Sequence, residues 1–189
     1  MRIISGNFRG KKLLEPIDKN TRPLKDLTKE SIFNIINHSK KFSIKIADSK
    51  ILDLFSGTGS FGLECLSRSA NHVTFVENYK AILPILKKNL LNLKMTDNYE
   101  VIEIDIFKNF FKKSFIDKFD IIFLDPPYRE KELSYLINEI KNSDILKKNG
   151  IIIIHRHKKQ KNIFPKSFKL LEEKYYGISK ITFGNFFLI

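Results

Sequence analysis

Residues 51 to 155 alternate between short apolar runs and amphipathic stretches, and this alternation restricts the fold more than any other feature. Short apolar runs bounded by turn residues predict buried strands, while apolar residues at helical spacing predict helices. Strands that alternate with helices imply right-handed crossovers and a parallel sheet. The predicted strands are 51–55, 73–77, 100–104, 120–124 and 150–155, and the predicted helices are 60–68, 79–93, 108–114 and 130–142.

Both ends of the chain depart from this alternation. Residues 2–5 and 11–14 predict a small hairpin, which is followed by a helix that begins near Asp26. Two β-rich runs at 168–175 and 180–189 predict a closing hairpin instead of another crossover. At 189 residues, of which 42% are hydrophobic, the chain is expected to form one domain.

Several classes of protein are disfavoured by what the sequence lacks. It has no apolar run near 18 residues and no signal-peptide pattern, so we expect a soluble, cytoplasmic protein without a membrane partner. Cys65, the only cysteine, excludes an internal disulfide and is expected to pack as a small apolar residue. His155 and His157 stand close together but have no third candidate ligand nearby, so we expect no metal site.

The first predicted strand runs into a glycine-rich loop, Ser56-Gly57-Thr58-Gly59-Ser60-Phe61-Gly62. Glycines let a backbone approach a ligand closely. Gly57-x-Gly59-x-x-Gly62 fits the dinucleotide fingerprint, and Glu77 ends the next predicted strand where a ribose-binding acid should be. One interpretation is therefore an oxidoreductase that binds a nicotinamide dinucleotide.

Asp53, just ahead of the glycine loop, favours a different ligand. Its carboxylate suits a cationic amino group better than a pyrophosphate. S-adenosylmethionine presents such an ammonium group and carries no phosphate. The alternative for Asp53 is a capped or salt-bridged acid of the core.

The second motif is Asp125-Pro126-Pro127-Tyr128, which directly follows the apolar run 121–124. Each proline fixes its own φ and restricts the residue before it, so the turn has few conformations to choose among. The Asp125 carboxylate and the Pro126 carbonyl can accept hydrogen bonds from an exocyclic amine, while the Tyr128 ring stacks on the base that carries it. The alternative is a polar turn that contains Pro and Asp for backbone reasons alone.

Together these residues resemble the class I methyltransferases that modify exocyclic amines. The opening stretch 1–13, with Pro16, Arg22-Pro23 and 30–34, narrows the resemblance to the RsmD-type guanine-N2 methyltransferases of bacterial 16S ribosomal RNA. The resemblance covers nearly the whole chain. It departs at Leu24, Lys25 and Lys29, and at His155, where the family frequently has an acid.

The resemblance implies a Rossmann-like α/β fold with a seven-stranded, mostly parallel sheet, a C-terminal antiparallel hairpin and a small N-terminal hairpin and helix. It divides one domain into a basic RNA-binding extension, 1–50, and a catalytic core, 51–189, that binds S-adenosylmethionine. Asp125, Pro126, Pro127 and Tyr128 form the expected catalytic turn. The expected cofactor-binding residues are Asp53, Phe55, Ser56, Gly57, Thr58, Gly59, Glu77, Asn78, Asp105 and Ile106.

Asp105 belongs to this set because of its place after a predicted strand. In an open α/β sheet, ligands bind outside the carboxyl ends of the strands where strand order reverses. Asp105 is positioned there to accept from an adenine amino group, with Ile106 against the ring. Asp105 as the N-cap of the following helix is the alternative.

The net charge of +13 is concentrated at the two ends of the chain. Residues 1–50 hold 12 Lys or Arg against 5 Asp or Glu, residues 51–154 hold 14 against 14, and residues 155–189 hold 8 against 2. A basic footprint of this kind implies a polyanionic partner, and we expect a nucleic acid. The family resemblance implies that this partner is ribosomal RNA of the small subunit or of its assembly intermediate. The residues expected to contact RNA are Arg2, Arg9, Lys11, Lys12 and Arg22.

The remaining alternatives concern the substrate. Related Pro-Pro-Tyr turns serve adenine-N6 DNA methyltransferases and protein glutamine methyltransferases, although 189 residues leave no space for an added target-recognition region. A non-catalytic RNA-binding protein would not depend on Asp125 for its behaviour. We expect a monomeric enzyme that acts on a guanine held out of its stack, since a paired base cannot reach a crevice.

Overall fold

The computed structural model of the protein describes residues 1–16, 24–94, 97–109, 115, 117–127 and 132–187. Five helices accompany one sheet in this part of the chain. The helices are α1 Asp26–His38, α2 Ser60–Ser67, α3 Leu83–Asn92, α4 Ile106–Asn109 and α5 Leu133–Asn142. The strands are β1 Lys50–Leu54, β2 His72–Glu77, β3 Tyr99–Glu103, β4 Phe119–Leu124, β5 Leu146–His157, β6 Phe168–Tyr176 and β7 Ser179–Phe186.

The strand order β3-β2-β1-β4-β5-β7-β6 determines where a ligand can bind. β1 pairs in parallel with β2 on one side and with β4 on the other. The chain moves outward from β1 in both directions, so the order reverses between β1 and β4. Loops that follow these two strands therefore open into one crevice at the carboxyl edge of the sheet.

Apolar side chains alternate along β1 and serve both faces of the sheet. Ile51 joins a cluster that contains Phe33 of α1 and Phe61 of α2. Leu52 and Leu54 join the opposite cluster, which contains the buried apolar residues of α5. A strand whose side chains point alternately to two apolar layers has a continuous hydrophobic sequence. This explains why the strand could be predicted from its sequence.

The closing hairpin is confirmed, with β7 antiparallel to both β5 and β6. β5 is longer than predicted because it begins at Leu146, which pairs with Phe119 across a register shift. α3 begins at Leu83 and not at residue 79, and α4 spans only Ile106–Asn109. The remainder of the helix predicted at 108–114 lies outside the described residues.

The N-terminal hairpin has less strand structure than predicted. Its strands reduce to a single antiparallel bridge between Arg2 and Lys12, supported by a hydrogen bond of 2.9 Å from the Ile3 amide to the Lys11 carbonyl. The amides of Ile4, Ser5, Asn7 and Phe8, inside the loop that this bridge closes, donate to α2 instead of to the facing strand. Ile3 and Leu13 are buried in the same apolar cluster as α1 and α2, so the extension shares the core of the sheet domain.

Across the described ranges, no helix combines the length and the apolar character needed to cross a bilayer.

Candidate active site

The glycine loop turns sharply between β1 and α2 through three residues with positive φ. Phe55, Gly57 and Gly59 have φ values of 64°, 55° and 84°. A non-glycine residue in this region is uncommon, so the Phe55 conformation is a local strain of the kind that clusters at functional sites. The Gly59 amide donates to the Ser56 carbonyl at 2.8 Å, which closes the turn.

Gly62 has a packing role. A Cβ atom at this position would lie 2.3 Å from Cε1 of Phe75 in β2. The first turn of α2 can therefore pack against the sheet only with glycine here, as the third glycine of the fingerprint requires. The loop is held at a fixed height above β1 as a result.

Asp53 lies beneath this loop and not on its surface. It is 1% exposed, and its Oδ2 accepts a hydrogen bond of 3.0 Å from the Gly62 amide. That bond caps the first turn of α2, whose own N-cap residue is a glycine. Burial raises the pKa of Asp53 well above its usual value, and the charges of Asp125 and Glu77 raise it further.

Glu77 organises the backbone on the other side of the loop. Its Oε2 accepts from the Gly57 amide at 2.8 Å, and its Oε1 accepts from the amides of Asn78 and Tyr79 at 2.8 and 2.9 Å. Glu77 remains half-buried, so part of the carboxylate faces solvent. The predicted ribose acid thus also fixes the loop that would hold the cofactor.

Two further loop residues turn their hydroxyl groups inward. Ser56 Oγ donates to the Asp53 carbonyl at 2.7 Å, and Thr58 is 3% exposed. The Thr58 carbonyl accepts a hydrogen bond of 3.0 Å from Nδ2 of Asn89 in α3. These contacts tie the glycine loop to β1 and to α3.

Asp105 and Ile106 lie at the end of the next strand but one from β1. Asp105 Oδ1 accepts from the Phe107 amide at 3.1 Å, which is the capping arrangement considered as its alternative role. Ile106 is 3% exposed within the apolar cluster of the α5 face. The ring of Phe107, which the sequence argument missed, lies 5.5 Å from that of Phe55, so two aromatic rings lie next to each other beside the glycine loop.

The second motif stands beside the first, as the topology requires. The Asp125 amide donates to the Leu54 carbonyl at 3.4 Å, which joins the end of β4 to the end of β1. Pro126 is buried, Pro127 is exposed, and the Asp125 side chain is 20% exposed. Tyr128, the fourth residue of the predicted turn, lies outside the described residues.

Sequence reasoning missed the contact between His155 and Asp125. Its Nδ1 lies 2.8 Å from Asp125 Oδ1, and its Nε2 lies 2.9 Å from Ser179 Oγ. The signal was its position, because Leu124 pairs with Ile154 and the next residues of β4 and β5 are Asp125 and His155. Among the described residues, no group of three or more His, Cys, Asp or Glu is arranged to hold a metal ion.

The residues expected to contact RNA are spread along the N-terminal loop. Arg2 and Lys12 are exposed and face each other across the bridge. Arg9 is exposed in the turn at the far end of the loop, where the neighbouring Asn7 amide donates to the Ser67 carbonyl at 2.8 Å. Lys11 places its ammonium 5.1 Å from the centre of the Phe8 ring. Arg22 lies outside the described residues.

A buried ion cluster holds this loop against the glycine-loop helix. Glu64 of α2 is fully buried and accepts from the amides of Ile4 and Ser5 at 2.7 and 2.9 Å. The buried Lys29 ammonium lies 3.6 Å from Glu64 and donates to the Arg2 carbonyl at 2.6 Å. Burial lowers the pKa of Lys29 despite the opposing attraction of Glu64. The N-terminal loop and the glycine loop are therefore coupled through α2.

The strand order, the glycine loop after β1 and the Asp-Pro-Pro turn after β4 define a class I methyltransferase fold. The family model described as "Conserved hypothetical protein 95" matches residues 1–185. The chain therefore belongs to this family, that of the RsmD-type methyltransferases.

Individual relatives agree with the family match. The chain is 36% identical over 179 residues to ribosomal RNA small subunit methyltransferase D of Haemophilus influenzae, an alignment that covers 94% of this chain and 90% of the relative. It is 36% identical over 172 residues to the protein of the same name from Buchnera aphidicola, covering 91% and 86%. The solved structure of yhhF from Escherichia coli superposes with a TM-score of 0.81 at 31% identity, covering 97% and 96%.

Proposed function

We propose that this methyltransferase transfers a methyl group from S-adenosylmethionine to the exocyclic N2 of a guanine in small-subunit ribosomal RNA. The observation that carries the proposal is the meeting of two turns at the β1–β4 reversal, where Asp125 is bonded to Leu54 at the foot of the glycine loop. One turn suits a nucleoside cofactor and the other suits a planar amine. Family membership and the names of the relatives support methyl transfer to small-subunit ribosomal RNA.

The charge of the crevice fits a cationic cofactor. Glu77 is the last residue of β2, Asp125 directly follows β4, and Asp53 is the penultimate residue of β1 between them. The charges of Asp125 and Glu77 both act on Asp53. A bound sulfonium or ammonium group would relieve this repulsion, whereas a pyrophosphate would increase it. The nicotinamide alternative is disfavoured for this reason.

We assign different groups of the cofactor to different residues around the glycine loop. The Gly57 and Gly59 amides already donate to Glu77 and to Ser56. The amino end of α2 therefore suits the carboxylate of the cofactor, because helix amino termini bind anions. Glu77 suits the ribose hydroxyls, and Phe55 and Phe107 suit the face of the adenine ring. When bound, the cofactor supplies a methyl group that is already activated by its sulfonium.

Asp125 then orients the nucleophile. Its carboxylate accepts a hydrogen bond from the N2 amine, which discourages delocalisation of the nitrogen lone pair and stabilises the positive charge that develops on nitrogen. Alignment of nucleophile, methyl and leaving sulfur accounts for most of the remaining acceleration, for which positioning can supply about 7 to 11 kcal/mol. The Tyr128 ring is assigned to stacking on the base.

The basic ends of the chain are assigned to the RNA backbone. Arg2 lies beside the amino end of α2, because its carbonyl and Ser60 Oγ both contact the Lys29 ammonium, at 2.6 and 3.3 Å. Exposed lysines at 158, 159 and 161 follow β5 at the carboxyl edge that carries Asp125. Positive charge therefore flanks the crevice on two sides and can hold the strand from which a guanine is flipped.

The test is methyl transfer from labelled S-adenosylmethionine to small-subunit RNA, with the modified nucleoside identified after digestion. We expect N2-methylguanosine as the product. Asp125→Ala should lower the rate by about 10²- to 10³-fold while S-adenosylhomocysteine binding persists. The matched control is Asp117→Ala, whose exposed carboxylate pairs with Lys50 at the opposite edge of the sheet. N6-methyladenosine as the product, or full activity in Asp125→Ala, would contradict the proposal.

A further inference from the structure

The His155 imidazole lies behind the Asp125 carboxylate. Its ring nitrogens contact Asp125 Oδ1 at 2.8 Å and Ser179 Oγ at 2.9 Å. His155 is 7% exposed and Ser179 is 6% exposed, whereas the Asp125 side chain is 20% exposed. The carboxylate is therefore the end of this chain of three groups that reaches the crevice. Methyl transfer as proposed above gives His155 no role.

The exposure order rules out a hydrolase reading of the same three residues. In a Ser-His-Asp triad the serine meets the substrate and the acid is buried. Here the serine is buried between β5 and β7, and the acid is the exposed member. Ser179 thus serves as the inner partner of the imidazole and not as a nucleophile.

Hydrogen-bond chemistry fixes how the ring is protonated. An ionised carboxylate only accepts, so the Nδ1 that faces Asp125 carries a hydrogen. Nε2 then accepts from the Ser179 hydroxyl when the ring is neutral. If Nε2 gains a proton, the same hydroxyl turns and accepts from it. The ring can change charge without losing either partner.

We propose that His155 is the positioning residue of the methyl transfer: it holds Asp125 Oδ1 so that the other oxygen faces the target amine, and its charge sets how strongly that carboxylate attracts the developing cation. This inference rests on the proposed function. A carboxylate with one oxygen fixed from behind has a defined orientation, and such second contacts determine how accurately a reacting group is placed.

The charge effect follows from the balance of the reaction. The N2 lone pair forms the new N–C bond, the C–S bond breaks, and its electron pair stays on sulfur as a neutral thioether. Positive charge thus moves from sulfur to N2, which afterward releases one proton to water. A neutral imidazole leaves Asp125 its full negative charge to stabilise that nitrogen. An imidazolium cancels much of this charge, so transfer should be slower when His155 is protonated.

The surroundings of His155 set where this change occurs. Burial lowers the pKa of His155, but the charge and hydrogen bond of Asp125 raise it, and the net direction is upward. His155 pairs with Ile181, and the neighbouring pair of β5 and β7 is Arg156 with Lys180. The side chains of Arg156 and Lys180 therefore point to the face of the sheet opposite to His155. Ser179 contributes a neutral hydroxyl.

The decisive comparison is between His155→Asn and His155→Ala. The asparagine amide nitrogen stands close to where Nδ1 stands, so it can donate to Asp125 but cannot titrate. Single-turnover methyl transfer should rise with pH in the wild type through the pKa of His155. His155→Asn should keep the rate reached at high pH and lose this pH dependence. His155→Ala should be slower by roughly 10- to 100-fold at every pH, because the carboxylate is no longer held in place.

A second readout does not depend on turnover. Nuclear magnetic resonance of imidazole-labelled protein gives the pKa of His155 in the wild type and in Asp125→Ala. We expect the wild-type value to match the kinetic transition and to fall in Asp125→Ala. S-adenosylhomocysteine binding by each variant reports that the site is folded.

Two outcomes would overturn the inference: an unchanged pH profile in His155→Asn, or a His155 pKa that does not coincide with the kinetic transition. Neither touches the proposed function, which fails separately if Asp125→Ala retains methyl transfer.

Discussion

Asn89 and Thr58 are joined by a hydrogen bond of 3.0 Å from the buried side-chain amide of α3 to the carbonyl of the glycine loop. The same amide group donates to the Leu14 carbonyl at 3.2 Å, and its oxygen accepts from the Leu14 amide at 2.8 Å. One side chain therefore satisfies backbone groups of both the N-terminal loop and the cofactor loop. It is a second link between the two loops, independent of the ion cluster around Glu64.

Asn89→Ala should destabilise the protein by about 1 to 3 kcal/mol, because the buried Thr58 carbonyl and the partly buried backbone groups of Leu14 lose their partner. Urea denaturation measures this change. Hydrogen exchange should also accelerate at the Leu14 amide. Asn92→Ala, an exposed position on the same helix, is the matched control and should change stability by less than about 0.5 kcal/mol. Equal effects of the two variants would contradict this account of Asn89.

Gly62→Ala should weaken both the fold and the cofactor loop. A methyl group here would lie within 2.8 Å of Phe75 and of Val73, both buried in β2. The expected overpacking cost of about 1 to 3 kcal/mol exceeds the helix-propensity gain of about 1 kcal/mol that alanine brings. Calorimetric titration with S-adenosylhomocysteine should show weaker binding, since the amide of residue 62 also caps onto Asp53.

Gly177→Ala is the control for that substitution. Its φ is +57° but nothing lies within 4 Å of a Cβ at this position, so only backbone strain of about 1 to 2 kcal/mol is expected. Because residue 177 lies in the β6–β7 turn, its replacement should leave cofactor affinity unchanged. A loss of affinity in this variant equal to that of Gly62→Ala would argue that global stability, not loop position, governs binding.

Glu64→Ala should be more damaging than Lys29→Met. Removing Glu64 leaves the buried Lys29 charge without its nearest fully buried partner and orphans two loop amides, for which a cost of about 3 to 5 kcal/mol is expected. After Lys29→Met, Glu64 keeps the Arg68 guanidinium at 2.9 Å. Equilibrium unfolding of the two variants and of the double variant measures the coupling, and the double variant should lose less stability than the two single losses combined.

The parts of the site that could be predicted from sequence are those whose residues are neighbours in the chain. The geometry of the glycine loop follows from its own residues, because Gly57 and Gly59 have positive φ. The geometry of the Asp-Pro-Pro turn likewise follows from the fixed φ of its prolines. The strand–helix alternation likewise gave the parallel core, because each strand carries its own apolar run.

The contacts that were missed depend on distant pairings. Asp125 and His155 meet only through the register of β4 with β5. The contacts of Glu64 could not be predicted, because nothing in the neighbouring sequence shows that the loop at Ile4 and Ser5 will lie across it. The N-terminal hairpin was overestimated for the same reason, since its backbone groups bond partly to α2.

Charge removal from the N-terminal bridge should weaken RNA binding without affecting cofactor binding. We expect Arg2→Ala combined with Lys12→Ala to lower the slope of log affinity against log salt by roughly 1 to 2, since each lost phosphate contact removes about one released counterion. Fluorescence anisotropy with a small-subunit RNA fragment over a range of salt concentrations measures the slope. Lys87→Ala is the control, because it also removes an exposed, acid-paired cation but lies on α3, outside the N-terminal bridge. An unchanged slope in the double variant would remove these residues from the RNA interface.

The free energy of unfolding of the protein should also depend on pH because of the Asp125–His155 pair. The pKa of His155 is raised in the folded protein, burial notwithstanding, by the charge and hydrogen bond of Asp125. The protonated ring is therefore favoured by folding, and its contribution is fully present below the unfolded pKa near 6.5 and is lost as the pH rises through the folded pKa. The difference in unfolding free energy between the wild type and His155→Asn should accordingly be larger at pH 6 than at pH 8.5. Replacement of the exposed His38 by Asn is the matched control for the loss of a histidine. If the His155→Asn difference grew toward alkaline pH, the ring would be stabilised in its neutral form, and the charge of Asp125 would not be the dominant influence on it.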